Sequence, residues 1–192
     1  TMAFDTIYKT KNESGKYSCG DIGITTEEWY GLICNDNAEP YIDTLLTFLR
    51  EPQHSGTCSV IAQKYNNQAQ HYNAKVAKWV QKKLGRIRVI GTDGNETYWA
   101  IVMQEGWDTK QGFKWQLRKE LVDALRKYLM KDLVERFSNG KAFNGYDEAY
   151  KWQLINDTEG VSSIEIVKKI IGKNIIDNMR VDSILKMLCE SK

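Results

Sequence analysis

An apolar residue recurs at every fourth position of the segment 68–84, at Tyr72, Val76, Val80 and Leu84. A helix turns once in about 3.6 residues, so this spacing places the four side chains on one side of an α-helix. Gly85 follows directly and is a residue type that often ends helices. The pattern therefore predicts a helix over residues 68–84, with one side buried and the other exposed to solvent.

This helix lies in a part of the chain that has no acidic residues. Between Pro52 and Thr92 there is no Asp and no Glu, whereas seven Lys or Arg and both histidines occur there. The net charge of the whole chain is +2 at pH 7, so the residues outside this segment carry −5. A positively charged segment around an exposed helix is typical of a surface that meets phosphate groups, because a nearby carboxylate would repel them.

The neighbouring segments complete the pattern of a winged helix-turn-helix. Two segments begin with residues typical of helix starts: TTEEWYGLIC, with Thr25 or Thr26 as its cap, and EPYIDTLLTFLR, with Pro40 in its first turn. The segment TCSVIAQKY predicts a short helix, which is followed by a turn at Asn66-Asn67. RIRVI, GTDGNE and TYWAIVM predict a strand, a turn at Asp93-Gly94 and a return strand, which together would form the wing. The expected fold class is α+β, mostly helical.

The rest of the chain predicts a simple organisation. EGWDTKQG reads as a loop, FKWQL as a third strand, and residues 118–137 as a helix. The apolar stripe of that helix is Leu121, Leu125, Tyr128, Leu129 and Leu133. SNGKAFNG, with its two Asn-Gly pairs, is the expected domain boundary. We therefore expect an N-terminal arm at 1–24 with at most a short strand, a winged helix-turn-helix domain at 25–137, and a C-terminal helical segment at 145–192.

The predicted helix offers groups for both base and phosphate contacts. Its start is rich in amides, which can pair with an adenine edge, and Asn73 and Gln70 are the predicted base contacts. Lysines on its exposed side and arginines at the base of the wing suit phosphates. The candidate DNA-binding residues are Asn67, Gln68, Gln70, His71, Asn73, Lys75, Lys78, Lys82, Arg86 and Arg88.

The chain is rich in aromatic residues, with six tryptophans and ten tyrosines among its 192 residues. Such residues can build a cage for a flipped or methylated base, but they also build the core of a small domain, which is the interpretation we favour. Trp79 lies beside Val76 and Val80 and is assigned to the core. Trp107 lies in the polar segment EGWDTKQG and is the candidate aromatic contact to a ligand.

Several spaced motifs resemble the winged-helix-like region of McrB-type, modification-dependent restriction proteins. They are TTEEWYGLI, CSVIAQKYNNQAQHYNAKVAKWVQKKLG, ETYWAIVM and GFKWQLRKELVDAL. Ala100 departs from the family pattern, which commonly has proline at that position. The resemblance implies a DNA-binding, modified-base-sensing module of a restriction or defence system. It also implies that a nuclease or GTPase is the partner, as another chain or domain.

The sequence shows no set of residues arranged for catalysis. There is no phosphate-binding GxxxxGK[ST] loop, and two histidines 17 residues apart do not form an HNH or zinc site. We therefore expect no enzyme activity in this chain, no cofactor and no metal. The first residues lack the apolar stretch of a secretory signal, and no apolar run is long enough for a membrane span, so a cytoplasmic location without membrane contact is expected.

Three functions remain open from the sequence. The first is a module that reads duplex DNA with the basic helix, and the second is a protein-interaction adaptor that uses the helix at 118–137 and the C-terminal helices. The third is a winged-helix transcriptional regulator, which would bind its site as a homodimer. A strong dependence of DNA binding on salt would separate the first function from the second.

Overall fold

The computed structural model describes residues 6–35, 38–59 and 72–138, and within these ranges the chain forms both strands and helices in a mixed order. The strands are β1 (Thr6–Lys9), β2 (Lys11–Glu13), β3 (Lys16–Ser18), β4 (Ser55–Thr57), β5 (Ile87–Ile90), β6 (Met103–Thr109) and β7 (Gly112–Leu117). The helices are α1 (Thr26–Ile33), α2 (Glu39–Arg50), α3 (Tyr72–Leu84), α4 (Trp99–Val102) and α5 (Lys119–Ser138), with a 3-10 turn at Pro52–His54.

The chain divides into two compact units, residues 1–125 and 126–192. The first unit contains all the strands named above and the helices α1 to α4, together with the start of α5. Of the second unit, the structure describes only residues 126–138, which are the rest of α5. The expected boundary after Ser138 and the C-terminal helical segment at 145–192 lie outside the described residues.

The prediction of a mostly helical winged helix-turn-helix was wrong, and the fold is mixed α+β. Five strands form one antiparallel sheet in the order β2-β3-β6-β7-β4. The other two strands, β1 and β5, form a separate parallel pair in which Thr6 faces Ile87. A winged helix instead follows its recognition helix with an antiparallel hairpin.

The expected wing fails at its second strand. The chain does turn at Asp93-Gly94, where Gly94 has a φ of +82° and Asp93 Oδ1 accepts a hydrogen bond from the Asn95 backbone N–H at 3.0 Å. That hydrogen bond lowers the pKa of the Asp93 carboxyl group. Beyond the turn, however, only a single bridge between Ile90 and Glu96 continues the pairing, and residues 99–102 form the short helix α4.

Two segments expected to be irregular form strands. The predicted N-terminal arm contains β1, β2 and β3, and β3 pairs with β6 in the five-stranded sheet. EGWDTKQG, expected to be a loop, forms most of β6 and the tight turn into β7. Polar and glycine-rich composition misled the prediction in both cases, because strand formation depends on pairing partners that local composition does not reveal.

The predictions of the main helices were confirmed. Thr25 caps α1, since its hydroxyl oxygen accepts a hydrogen bond from the Glu28 backbone N–H at 3.1 Å. Helix α2 carries Pro40 in its first turn as expected. FKWQL forms β7 and leads into α5, whose residues Leu121, Leu125 and Leu129 are buried.

The described part of the basic helix is α3. Val76, Trp79 and Val80 are buried as predicted, and the chain leaves the helix at Gly85, where a φ of +65° favours glycine. Gln81 lies outside the apolar stripe of the sequence pattern, but it is buried and donates hydrogen bonds to the Ile87 carbonyl and to Glu96 Oε1. Residues 60–71, which include most of the predicted short helix, lie outside the described residues.

One buried cation joins three parts of the first unit. Arg118 is only 3% exposed, and its guanidinium donates to the carbonyl oxygens of Gly20, Ala100 and Ile101 at 2.9, 3.0 and 3.2 Å. Two of these carbonyls belong to α4, which is only four residues long. Arg118 thus satisfies helix carbonyls that have no partner within so short a helix. Burial lowers the pKa of this guanidinium.

Among the described residues, no helix is both long enough and apolar enough to cross a lipid bilayer.

Candidate functional site

Four lysines of α3 form one positively charged surface, which we call the lysine face: Lys75, Lys78, Lys82 and Lys83. All four side chains are exposed. The positions 75, 78 and 82 follow the spacing of one helix side, about 10 Å along the axis. Within the described residues none of the four forms an ion pair with a carboxylate. The lysine face is therefore a surface whose charge is available to a ligand.

A shallow cavity of about 460 Å³ opens between these lysines, and its apolar lining is formed by Tyr41 and Trp79. The two rings stack with their centres 4.7 Å apart and their planes 17° apart. Trp79 is 6% exposed, so the indole supports the lysines from below. Lys78 also lies near the Tyr98 ring, with 5.2 Å between its Nζ and the ring centre. Aromatic rings thus line the cavity together with the lysines, and one ring lies beside the Lys78 ammonium group.

The other predicted DNA contacts are not part of the lysine face. Asn67, Gln68, Gln70 and His71 lie outside the described residues, and of Asn73 only the backbone, in the first turn of α3, is described. Arg86 pairs with Glu28 and donates to the Gly23 carbonyl, and Arg88 lies 3.5 Å from Glu96. Carboxylates thus already offset the charge of both arginines, so we place neither in the candidate site.

A second candidate site lies on one face of the five-stranded sheet. Tyr17 in β3 pairs with Gly106 in β6, which pairs in turn with Trp115 in β7, so these three residues form one row across the sheet. Alternate residues of a strand lie on the same face, which adds Asp108 and Phe113 to the next row. Trp99, from α4, packs against Trp115 with 4.6 Å between ring centres.

Four aromatic side chains and one carboxylate line a cavity of about 410 Å³, which we call the aromatic pocket: Tyr17, Trp99, Asp108, Phe113 and Trp115. Each ring is half-buried, and Asp108 is exposed. The Tyr17 ring stands nearly perpendicular to Trp99, at 78°, and steeply to Phe113, at 63°. The plane of the Tyr17 ring is therefore steeply inclined to the planes of both neighbouring rings. Within the described residues, no cation is paired with Asp108.

Gly106 lets the rings of the aromatic pocket lie against the sheet. A Cβ at this position would meet Phe113 and Trp115 ring atoms at 2.4 Å. We expect Gly106→Ala to lower the free energy of unfolding by about 1–3 kcal/mol, because the rings must leave their rotamers. Thermal melts would measure this. The control is Gly31→Ala in α1, where a Cβ meets nothing within 4 Å; equal melting temperatures for the two variants would contradict the prediction.

Comparison of the chain with protein-family models, with curated proteins and with solved structures finds no match. The two candidate sites therefore stand on their geometry alone.

Sequence reasoning found Lys75, Lys78 and Lys82 of the lysine face, but it missed Lys83 and the aromatic pocket. Trp107, the predicted aromatic contact, is half-buried in β6 and pairs in register with Lys16 and Lys114. It is adjacent to Gly106 in the strand and so lies on the opposite face of the sheet from the pocket. A signal was present in the alternation of Phe113 and Trp115 in FKWQL, which places both rings on one face of a strand.

The remaining reactive groups point to no further chemistry. Among the described residues, no three His, Cys, Asp or Glu side chains are grouped so that they could hold a metal ion. Cys19 and Cys34 take part in no disulfide, and Cys189 lies outside the described residues. Burial raises the pKa of the Cys58 thiol to about 11 and also raises that of Cys19. Both thiols are therefore poor nucleophiles at neutral pH.

Proposed function

We propose that this chain binds duplex DNA through the lysine face of α3. The observation that carries the proposal is the grouping of four exposed lysines around one cavity, with no acidic side chain among the described residues that line it. Each lysine that neutralises a phosphate releases condensed counterions, which is the main source of affinity for nucleic acid. The proposal gives the chain a binding role and no catalytic step.

We place this DNA binding in a restriction or defence system. The spaced motifs that resemble modification-dependent restriction proteins support a role in a restriction or defence system, with a nuclease or GTPase on a partner chain or domain. The winged helix that the same resemblance implied is not the fold of the described residues, so this support comes from the motifs alone. Cys19 and Cys34, which take part in no disulfide, suit a reducing compartment such as the cytoplasm. The regulator hypothesis depended on a winged helix and is abandoned.

The adaptor hypothesis requires an exposed apolar stripe on α5, and part of that stripe is buried. It relied on the apolar stripe of α5, but Leu121, Leu125 and Leu129 are all buried. A buried stripe contributes to the core of its own chain and offers nothing to a partner. The lysine face, by contrast, is exposed along its whole length.

We expect binding of a DNA duplex to weaken steeply with salt. Four phosphate contacts predict a slope of about −3.6 in a plot of log K against log salt concentration. Replacing Lys75 and Lys78 together with glutamine should reduce the size of that slope by about 2 and weaken binding to all sequences alike. Fluorescence anisotropy of a labelled duplex, titrated with the full chain at several salt concentrations, measures both quantities.

The matched control replaces Lys110 and Lys119 with glutamine, since both are exposed and both lie outside α3. It changes the net charge by the same amount, so it separates a local contact from a general charge effect. Thermal melts should show both variants folded, because exposed lysines contribute little to stability. Equal slopes for the two double variants, or no binding at about 50 mM salt, would contradict the proposal.

A further inference from the structure

We propose that the aromatic pocket binds a methylated ammonium group, of the kind found in trimethyllysine and choline. This goes beyond DNA binding, because the pocket lies on the five-stranded sheet and uses none of the lysines of α3. The pocket brings together the two features that attract such a cation, namely several aromatic faces and a carboxylate.

The charge of the pocket favours a cation. The face of an aromatic ring is negative, and a cation within about 6 Å of the ring centre is attracted to it. Tyr17, Trp99, Phe113 and Trp115 line one open cavity, and the Asp108 carboxylate adds a full negative charge to its lining. Because no other cation is paired with Asp108 in the described part of the chain, this charge remains available to a ligand.

The lining also explains why the cation would be methylated. An unmodified lysine ammonium carries three N–H donors and is strongly hydrated. Apart from the Asp108 carboxylate and the Tyr17 hydroxyl, the residues that line the aromatic pocket offer no side-chain acceptor, so N–H donors that face the rings would be left without partners. A trimethylated nitrogen has no N–H, keeps its charge, and presents methyl groups to the rings. Its desolvation therefore costs less, and its contact with the apolar walls contributes to binding.

The angles between the rings argue against a flat base. A sandwiched base needs two parallel rings roughly 7 Å apart, which is twice a normal contact distance. The most nearly parallel pair of the pocket, Trp99 and Trp115, is tilted by 32° with centres only 4.6 Å apart, so no third ring fits between them. Phe113 and Trp115 are likewise 4.6 Å apart, at 54°. Walls at such angles surround a compact, rounded group better than a plate.

The half-burial of the rings argues against a pure packing role. Core aromatics of this protein are almost completely covered, as Trp29 and Phe48 show with 0% and 1% exposure. All four pocket rings remain partly exposed to solvent around a shared opening. Exposed aromatic surface of this kind is costly unless a ligand covers it.

The test titrates the full chain with four probes and follows tryptophan fluorescence, since two tryptophans line the pocket. The probes are choline, a trimethyllysine peptide, the neutral choline isostere 3,3-dimethylbutanol, and 5-methyldeoxycytidine. We expect saturable binding of the two cationic probes, and at least about fivefold weaker binding of the neutral isostere because it loses the cation–π attraction. Tighter binding of the peptide would identify a protein tail as the source, and tighter binding of choline a small molecule.

Two pairs of variants locate the binding. Tyr17→Phe keeps the ring and should bind the preferred cation as the wild type does, whereas Tyr17→Leu removes it and should bind about 5- to 30-fold more weakly. Asp108→Asn should weaken binding, and Glu105→Gln should not, because the pairing of Glu105 with Lys16 already offsets its charge. Thermal melts confirm that each variant is folded.

Three results would overturn the proposal. One is an affinity for the neutral isostere equal to that for choline and the peptide, and another is tighter binding of 5-methyldeoxycytidine, which would make the site a base pocket. The third is the same cation affinity in Tyr17→Leu as in Tyr17→Phe, or in Asp108→Asn as in Glu105→Gln. DNA binding by the lysine face is measured in a separate experiment, and none of these three results would contradict it.

Discussion

Replacement of Arg118 by methionine is expected to destabilise the first unit by roughly 3 kcal/mol or more, because buried carbonyl oxygens lose a charged donor. Methionine matches the length of the arginine stem but donates no hydrogen bond. The carbonyls of Gly20, Ala100 and Ile101 would be left without the guanidinium. The measurement is the free energy of unfolding from a denaturant titration.

Arg118→Lys is the control for charge. A lysine keeps the positive charge but cannot present the planar fork that reaches several carbonyls at once. It should therefore fall between the wild type and the methionine variant. If Arg118→Met unfolds at the same denaturant concentration as the wild type, the guanidinium is not what holds α4 to the N-terminal segment.

Trp79→Ala should lower the free energy of unfolding by about 3–5 kcal/mol, since it leaves a large cavity in place of a buried indole. A small domain is stable by only about 5–15 kcal/mol, so the melting temperature should fall sharply. The variant also removes the ring that stacks on Tyr41 under the lysine face. We expect DNA binding to be lost because the protein unfolds, and not because the indole contacts bases.

Trp107→Ala is the matched control, because it removes the same side chain from a half-buried position in β6. It should cost less stability than Trp79→Ala and leave DNA binding by the lysine face unchanged. Thermal melts and anisotropy titrations of both variants provide the comparison. A Trp79→Ala protein that melts like the wild type yet no longer binds DNA would show that the indole is a contact residue.

Local sequence patterns predicted the longer helices well. Helix α3 has an apolar residue at every fourth position, and α1 carries a threonine cap followed by acidic residues. Both signals act within a few residues of the chain, so they can be recognised without knowledge of the fold. The lysine face followed from the same helical period, because it consists of the positions that the apolar stripe leaves exposed.

The sheet could not be predicted in the same way. TYWAIVM is rich in residues that favour strands, yet Trp99–Val102 form a helical turn whose carbonyls are held by Arg118. β6 is polar and contains glycine, yet it is a central strand because β3 and β7 pair with it. Strand preference depends on such neighbours more than on the residue itself. The aromatic pocket is built across these pairings, so it remained hidden with them.

The parallel pairing of β1 with β5 has a consequence for the order of folding. β6 and β7 are joined by a tight turn and can pair as soon as both are made, whereas Thr6 must find Ile87 across most of the first unit. Closing so long a loop costs entropy that only the already collapsed chain can offset. Tyr17 of β3 must likewise reach Gly106 of β6, so the N-terminal strands β1 and β3 should join last, when α3, β5 and β6 are in place, and act as the closing step of assembly.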